Sequence, residues 1–458
     1  MTNEEVYNGL NSENSLRVHS FMGVIPKSSD VQSIQNTIFN SLKENTDFKL
    51  YNLIVKEVNQ SEELHALNLE WMVELEYKGS MVVAFFSIGK TKSINLQRMN
   101  ASKGVSQYQI QEAFTNPYFL YCRQLYTDDP LNSFLLQLKI MQTIVPDSSL
   151  VLDFSSNRIF SSNWLRMVCD TNTPPTPRSL YLVQIFNSTD KEGKKTYWLR
   201  TNGLYRCGAP ELEMINIQSG LQEMIQLLHA TASLFVQHKI KENQVIKVGY
   251  DGLDINLTWI RWETAINRIP KDVFGGADFR KGKAESHNIF NDPTGVLFAV
   301  EEDIHTSPEI YINAVKHKPI YMMSRKEKTR QKTLAIERYS YFAKTYQKYK
   351  QEVISNELAN AVPAFKKSRK NSSWQFLVRL SLSNEEDTAL NQQEQLWFQV
   401  QSIQQNLVTA QLITSPYWIK NLKKGDIITT SIKESLTNWT IITPDNTEYS
   451  PETIYLLD

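Results

Sequence analysis

The chain has 458 residues, too many for one ordinary hydrophobic core; at roughly 150 residues per domain, two or three domains are expected. Hydrophobic residues make up 41% and charged residues 21%, with 16 glycines and 16 prolines, a balance that excludes a disordered or collagen-like chain. Basic and acidic residues number 49 each, so no net charge draws the whole chain to nucleic acid or membrane, and the longest apolar run, Met81 to Phe86, is too short to span a bilayer.

Residues up to Ser15 are polar and acidic and predict a loose tail. Val18 to Ile25 predicts a strand, and Ser28 or Ser29 is placed to cap a helix whose apolar positions Val31, Ile34, Ile38 and Leu42 recur every three or four residues. Leu50 to Val58, Leu67 to Glu76 and Met81 to Ile88 return to strand character, and Leu131, Leu135, Leu138, Met141 and Val145 mark a second helix closed by Pro146. The pattern restarts with strands at Leu150 to Phe154, Leu180 to Phe186 and Thr196 to Leu199, with the prolines at 174, 175 and 177 forming a rigid loop between the first two. Ser219 and Gln222 have the spacing of a capping box, behind which Leu221, Met224, Leu228 and Phe235 predict a helix through Gln237. Strands are expected at Val245 to Gly249, Ile255 to Arg261 and Thr294 to Val300, with a mobile loop over Pro270 to Pro293.

Arg325 to Val353 predicts one long helix. Ala335, Tyr339, Phe342, Tyr346, Tyr349 and Val353 form a stripe, with Lys344, Lys348 and Lys350 off it. From Lys316 to Lys370 there are 15 Lys and Arg against four Glu. Cations interleaved with aromatic rings suit a nucleic-acid partner, but a regular aromatic stripe is more often the buried face of an amphipathic helix. After the basic run Lys366 to Lys370, strands are predicted at Phe376 to Leu382, Glu394 to Ile403 and Leu407 to Ile413, with a tight turn at Lys424-Gly425-Asp426. Trp397, Trp418 and Trp439 are expected on or near the surface of this sheet.

Few stretches carry recognisable chemistry. Ser87-Ile-Gly-Lys-Thr91 ends like a phosphate-binding loop, but Ala84 stands where the first glycine belongs, so a strand end and turn are expected. Trp198, Arg200, Asn202, Arg206, Glu211 and Glu213 are the densest polar cluster; on a strand Glu211 and Glu213 share a face. They suit a hydrolase or an anion-binding enzyme, or a structural network of ion pairs. Cys207 beside Arg206 is either an activated thiolate or a small buried hydrophobe. Glu301, Glu302, Asp303 and His305 are ligand-type groups without a metalloprotease spacing, and an acidic loop is expected there. Three scattered cysteines, Cys122, Cys169 and Cys207, without Cys-x-x-Cys spacing, and Glu4 and Glu5 where a secretory leader has cations, predict a reducing cytoplasm with no metal and no cofactor.

Glu394, Trp397, Val400, Pro416, the Leu422-Lys-Lys-Gly-Asp426 turn and Trp439 together resemble the YegJ-like family of uncharacterised bacterial domains. That resemblance implies a small β-rich module that binds a partner. Thr201-Asn-Gly203 followed by Gly208-Ala-Pro-Glu-Leu-Glu213 is similar to a segment of other uncharacterised bacterial proteins, but Asn202 replaces the histidine usual before the glycine, which weakens a histidine base.

The expected fold is multidomain α+β: a flexible tail over 1–15, an N-terminal α+β domain over 16–148, a central one over 149–315, a long basic helix or linker over 316–355, and a β-rich YegJ-like domain over 356–458. The expected role is non-enzymatic: a bacterial cytoplasmic protein binding a protein or peptide through exposed aromatic surfaces, as a neutralising or regulatory partner. Enzyme chemistry at the polar cluster and nucleic-acid binding through residues 316–370 are the alternatives, with no membrane contact in any of them.

Overall fold

The computed structural model describes residues 7, 19–27, 31–58, 66–189, 191–248, 255–280, 293–302, 304–317, 325–361, 373–383 and 393–457. It is α+β and divides into two compact units, residues 1–169 with 175–322 and residues 170–174 with 323–458. The proposed caps Ser28 and Ser29, Asp303 and the basic run Lys366 to Lys370 lie outside the described residues, as does 281–292 of the loop expected over Pro270 to Pro293.

The larger unit holds two sheets. The first contains β1 (His19–Pro26), β2 (Lys49–Glu57), β3 (Leu69–Tyr77), β4 (Ser80–Lys90), β5 (Asn100–Ala101), β6 (Tyr118–Leu125), β7 (Ser148–Asp153) and β8 (Arg158–Ser161), in the order β2-β3-β4-β6-β1-β7-β8-β5. Alternation builds it: Trp71, Val73, Leu75 and Tyr77 of β3 are buried while the residues between them are half-buried. Four helices accompany the sheet: α1 (Val31–Glu44), α2 (Gln107–Ala113), α3 (Pro130–Ile144) and α4 (Ser162–Cys169). Asp129 caps α3 by accepting from the Asn132 N–H, Pro130 occupies its first turn, and Phe134, Leu135, Leu136, Leu138, Ile140 and Met141 are fully buried. Leu150 to Phe154, where the sequence pattern restarts, is β7, and it pairs with β1 inside this first sheet.

The second sheet comprises β9 (Leu182–Thr189), β10 (Lys195–Asn202), β11 (Glu211–Ile217), β12 (Ile246–Val248), β13 (Ile255–Arg261), β14 (Thr294–Glu301) and β15 (Ile304–Thr306). Its order is β12-β13-β14-β11-β10-β9, with β15 on β14, and β11 runs parallel to β14. The helix α5 (Leu221–Gln237) ends where predicted, but the capping box does not form. Gly220 takes the N-cap in a left-handed conformation, φ +58°, and Ser219 turns its N–H and hydroxyl to Glu309. Tyr7, within the expected loose tail, is 1% exposed: its hydroxyl donates to the Thr294 carbonyl at 2.7 Å and accepts from the Thr294 N–H at 2.9 Å. A short helix, α6 (Ile312–His317), follows β15.

In the smaller unit the single long helix predicted from the sequence is two, α7 (Arg325–Glu337) and α8 (Tyr339–Ala361). The break falls at Arg338, whose guanidinium donates to the Pro451 carbonyl at 2.6 Å. They accompany an antiparallel sheet of β16 (Gln375–Ser383), β17 (Gln393–Gln404), β18 (Leu407–Leu412), β19 (Ile427–Ser431), β20 (Leu436–Ile442) and β21 (Glu448–Tyr449), ordered β19-β18-β17-β16-β20-β21. Tyr339, Phe342 and Tyr346 are buried; Phe342 packs on Phe376 and Trp439, and Tyr349 stacks on Trp374 at 3.8 Å. The aromatic stripe is therefore core, while Lys344, Lys348 and Lys350 are exposed.

Between the two sheets of the larger unit lies one buried ion pair. Arg206 donates to both carboxylate oxygens of Asp153, at 2.9 and 2.7 Å, and also to Ser20 Oγ and the Leu180 carbonyl. The side chains are 1% and 0% exposed. Burial alone would lower the guanidinium, but the Asp153 carboxylate beside it holds it above its usual value.

Removing one member of such a pair strands the other in low dielectric, so Arg206→Met is expected to cost about 3–5 kcal/mol in urea unfolding, and a loss below about 1 kcal/mol would refute the role given to the pair. His229 sets a second expectation. Burial, then Arg178 and Arg158, lowers it to about 4, whereas the unfolded chain titrates near about 6.5. The unfolded state therefore takes up the proton first. Stability is expected to be level above about pH 7, to fall as pH drops from about 6.5 to about 4, and to lose part of that slope in His229→Gln. Identical stability profiles for the two proteins over that window would contradict the assignment.

Candidate functional site

The polar cluster read from the sequence is built, but it is closed. Arg200 and Glu213 are opposite one another in the β10–β11 register, with Arg200 Nε 3.8 Å from the carboxylate, and both are buried. Arg280 donates to the same carboxylate while its guanidinium lies 5.0 Å from the Trp198 ring and 4.8 Å from that of Trp262. Trp198 is fully buried against Phe186. Glu211 shares a strand face with Glu213 as predicted, yet it accepts from Thr201 Oγ1 at 2.7 Å and from the N–H groups of Gly203 and Tyr205. Arg206 leaves the cluster for Asp153, and Asn202 is half-buried at the end of β10. These groups form separate buried networks, and none of them lines the large cleft described below. Cys207 is half-buried, and desolvation pushes its thiol up to about 12 despite Arg206 beside it, which disfavours the activated-thiolate reading.

The three tryptophans of the smaller unit separate. Trp439 is fully buried, with its indole N–H donating to the Ala335 carbonyl at 2.9 Å, which corrects its expected surface position: an inward-facing residue of β20 meets α7. Trp397 is half-buried, with the Arg379 guanidinium 5.8 Å from its ring. Trp418 is 52% exposed and lies edge-on to Tyr417, itself 79% exposed. Glu394 fixes this pair, accepting from the N–H groups of Tyr417, Trp418 and Ile419 at 2.7, 2.8 and 3.2 Å. Ser87 to Lys90 is a strand end followed by a turn, as expected, and among the described residues no group of three or more metal-ligating side chains is gathered.

An open cleft lies on the first sheet, away from the densest polar stretch of the sequence. In β6, Cys122 and Gln124 turn to α3, where they meet Gln137 and the Ser133 carbonyl. Phe119, Tyr121 and Arg123 therefore face the other way, into a cleft of about 550 Å³. Tyr121 and Phe119 meet edge to face and Phe154 packs against both, forming an aromatic floor. Phe119 fits because β4 carries Gly89 beside it: a Cβ there would come within 2.4 Å of the ring. The short turns Thr91–Ser93 and Leu96–Arg98 form a wall, the second held by Asn95, whose side chain accepts from the Gln97 N–H.

The polar groups of the cleft are of two kinds. Arg123 is spoken for: it makes a bidentate pair with Glu70 at 3.0 to 3.2 Å and lies 3.9 Å over the Phe85 ring. Burial raises the Tyr121 phenol, which stays protonated at neutral pH. Ser87, 3% exposed, and Arg98, on the exposed turn, line the cleft, and neither side chain has a hydrogen-bond or ion-pair partner among the described residues. The sequence signal that could have found this site is the alternation in Tyr118–Leu125, where Phe, Tyr and Arg interleave with Leu, Cys and Gln.

Fold and cleft together define a multidomain α+β protein with a cavity of about 550 Å³ over the antiparallel strands β4 and β6. Residues 20–175, which span the first sheet and its helices, match a family model described as "Protein of unknown function (DUF4026) N-terminal", and residues 183–298, most of the second sheet, match its C-terminal counterpart. The two spans cover more than half of the chain, which belongs to this DUF4026 family. Neither span reaches residues 356–458, where the YegJ-like resemblance lies. Comparison with curated proteins and with solved structures finds no match.

Proposed function

We propose that this protein acts by binding, and that its N-terminal domain holds a small organic ligand with an apolar body in the cleft over β4 and β6. The observation that carries this reading is the cleft itself. Its volume of about 550 Å³ falls in the range of small-molecule sites, roughly 300–1,000 Å³. Its aromatic floor offers stacking, and the Ser87 hydroxyl, without a partner among the described residues, offers a directional contact within it. The buried ion pairs of Arg200 and Arg206 and the hydrogen bonds that occupy Glu211 favour a structural role over catalysis for Arg200, Arg206, Glu211 and Glu213. Free cysteines and the lack, among the described residues, of a helix long and apolar enough to cross a membrane are compatible with the cytoplasmic location read from the sequence.

The neutral fluorophore N-phenylnaphthylamine tests the cleft. It is expected to brighten on the wild-type protein and to lose most of that signal in Ser93→Trp, where an indole from an exposed wall residue fills the cleft while the circular dichroism stays native. Equal binding by the two proteins would remove the reading.

A second reading concerns the smaller unit, where Tyr417 and Trp418 are held exposed on a turn tied to Glu394. A rigid aromatic pair of this kind suits a protein or peptide partner, in keeping with the regulatory role and the YegJ-like resemblance. Nucleic acid is less favoured, because the tyrosines that would stack on bases are packed inside the unit. A partner recovered from lysate by the wild type is expected to be lost with Trp418→Ser; recovery unchanged by that substitution would exclude the turn as its docking point.

A further inference from the structure

Resting on the cleft reading above, we infer that the ligand of the N-terminal domain is an amphipathic anion: a planar apolar body that stacks on Tyr121, Phe119 and Phe154, carrying one acidic group that pairs with Arg98 at the rim.

Charge separates the polar groups that line the cavity. Three of them are ionic: Glu70, Arg123 and Arg98. Glu70 and Arg123 neutralise each other in a two-pronged contact, and the Arg123 guanidinium is further occupied by the Phe85 face. A ligand cation would have to break that pair to reach Glu70. One positive charge remains, on Arg98, so the lining contributed by the described residues carries a net charge of plus one, and its field enters a site whose walls are largely apolar. The remaining polar groups are neutral. The Tyr121 phenol stays protonated, and the hydroxyl of Ser87, together with those of Ser93 and the amides of Asn95 and Asn157, offers hydrogen bonds without charge.

Position sharpens the assignment. Arg98 ends the short turn Leu96–Arg98, which Asn95 caps, so its backbone is fixed while its side chain stands at the mouth. Ser87 lies on the sheet floor at 3% exposure. A molecule that satisfied both would enter with its acidic group outward and a neutral acceptor or donor inward. A neutral hydrocarbon would leave Ser87 and Arg98 unused, and a dianion would meet a single free cation among the described lining residues.

Two fluorophores that differ by one sulfonate decide the matter: anilinonaphthalene sulfonate and neutral N-phenylnaphthylamine, each titrated onto the full-length wild type, Arg98→Gln and Ser93→Trp. Arg98→Gln is expected to weaken the sulfonate probe by about fivefold to tenfold, the size of one charge-assisted contact at a partly exposed site, and to leave the neutral probe unchanged. Added salt is expected to narrow the preference for the sulfonate in the wild type and not in the variant. Should Arg98→Gln bind both probes like the wild type while Ser93→Trp binds neither, the cleft stands and the anion inference falls. Should Ser93→Trp bind both like the wild type, the cleft reading falls as well.

Discussion

The buried contact between Arg206 and Asp153 is the constraint on which the larger unit depends. Asp153 closes β7 in the first sheet, and Arg206 sits in the turn between β10 and β11 of the second, so one guanidinium ties together elements from both family-matched spans. Desolvating two such charges costs several kcal/mol per ion, and only near-complete hydrogen bonding offsets it. Here Asp153 accepts from Arg206, the N–H groups of Ser155 and Ser156 and the Ser156 hydroxyl, while Arg206 also reaches Ser20 and Leu180 and lies 5.1 Å from the Phe134 ring. An apolar contact in this place would tolerate sliding of one sheet past the other. Fork-on-carboxylate geometry does not, because both oxygens must be met together.

The same sheet that receives Arg206 at one end carries the cleft on its other face, and the two follow from one alternation. Residues of β6 that turn toward α3, such as Cys122 and Gln124, are fully buried, so every second residue is forced outward. That outward row is Phe119, Tyr121 and Arg123, and the missing side chain at Gly89 lets Phe119 lie down and make a floor. Helical cover on one face and short turns on the other leave a concave surface. Its position is therefore a by-product of strand period and one glycine, and its electrostatic character comes from which charges are already paired.

Much of this architecture was legible in the sequence, and the failures share a physical cause. Strands β1, β3, β4, β16, β17 and β18 announce themselves by period, and α1, α3 and α5 by a three-to-four spacing of large apolar residues. Glu211 and Glu213 do share a face. What could not be read was partnership: Arg206 pairs with a residue 53 positions away, and Arg280, which completes the Glu213 network, is 67 positions from it. The capping box at Ser219 failed because Gly220 takes a left-handed turn and Glu309, 90 residues on, claims the Ser219 N–H. Trp439 and Trp397 alternate in burial across their sheet, and only the placement of α7 decides which of them is inside.

Density of polar residues in a sequence is thus a poor guide to where a ligand goes. The stretch from Trp198 to Glu213 is the richest, and each of its charged groups is consumed by another group of the chain. The cleft is poorer in charge, drawn from four separated segments, and holds a guanidinium and a hydroxyl that no group among the described residues meets. Folding selects against unpaired polar groups in proportion to their burial, an argument that bears on the buried Ser87 hydroxyl, while Arg98 is left to water or to a ligand at the exposed turn. Unmet capacity at Ser87 and Arg98, and not abundance at Arg200 to Glu213, is what supports the proposed binding surface.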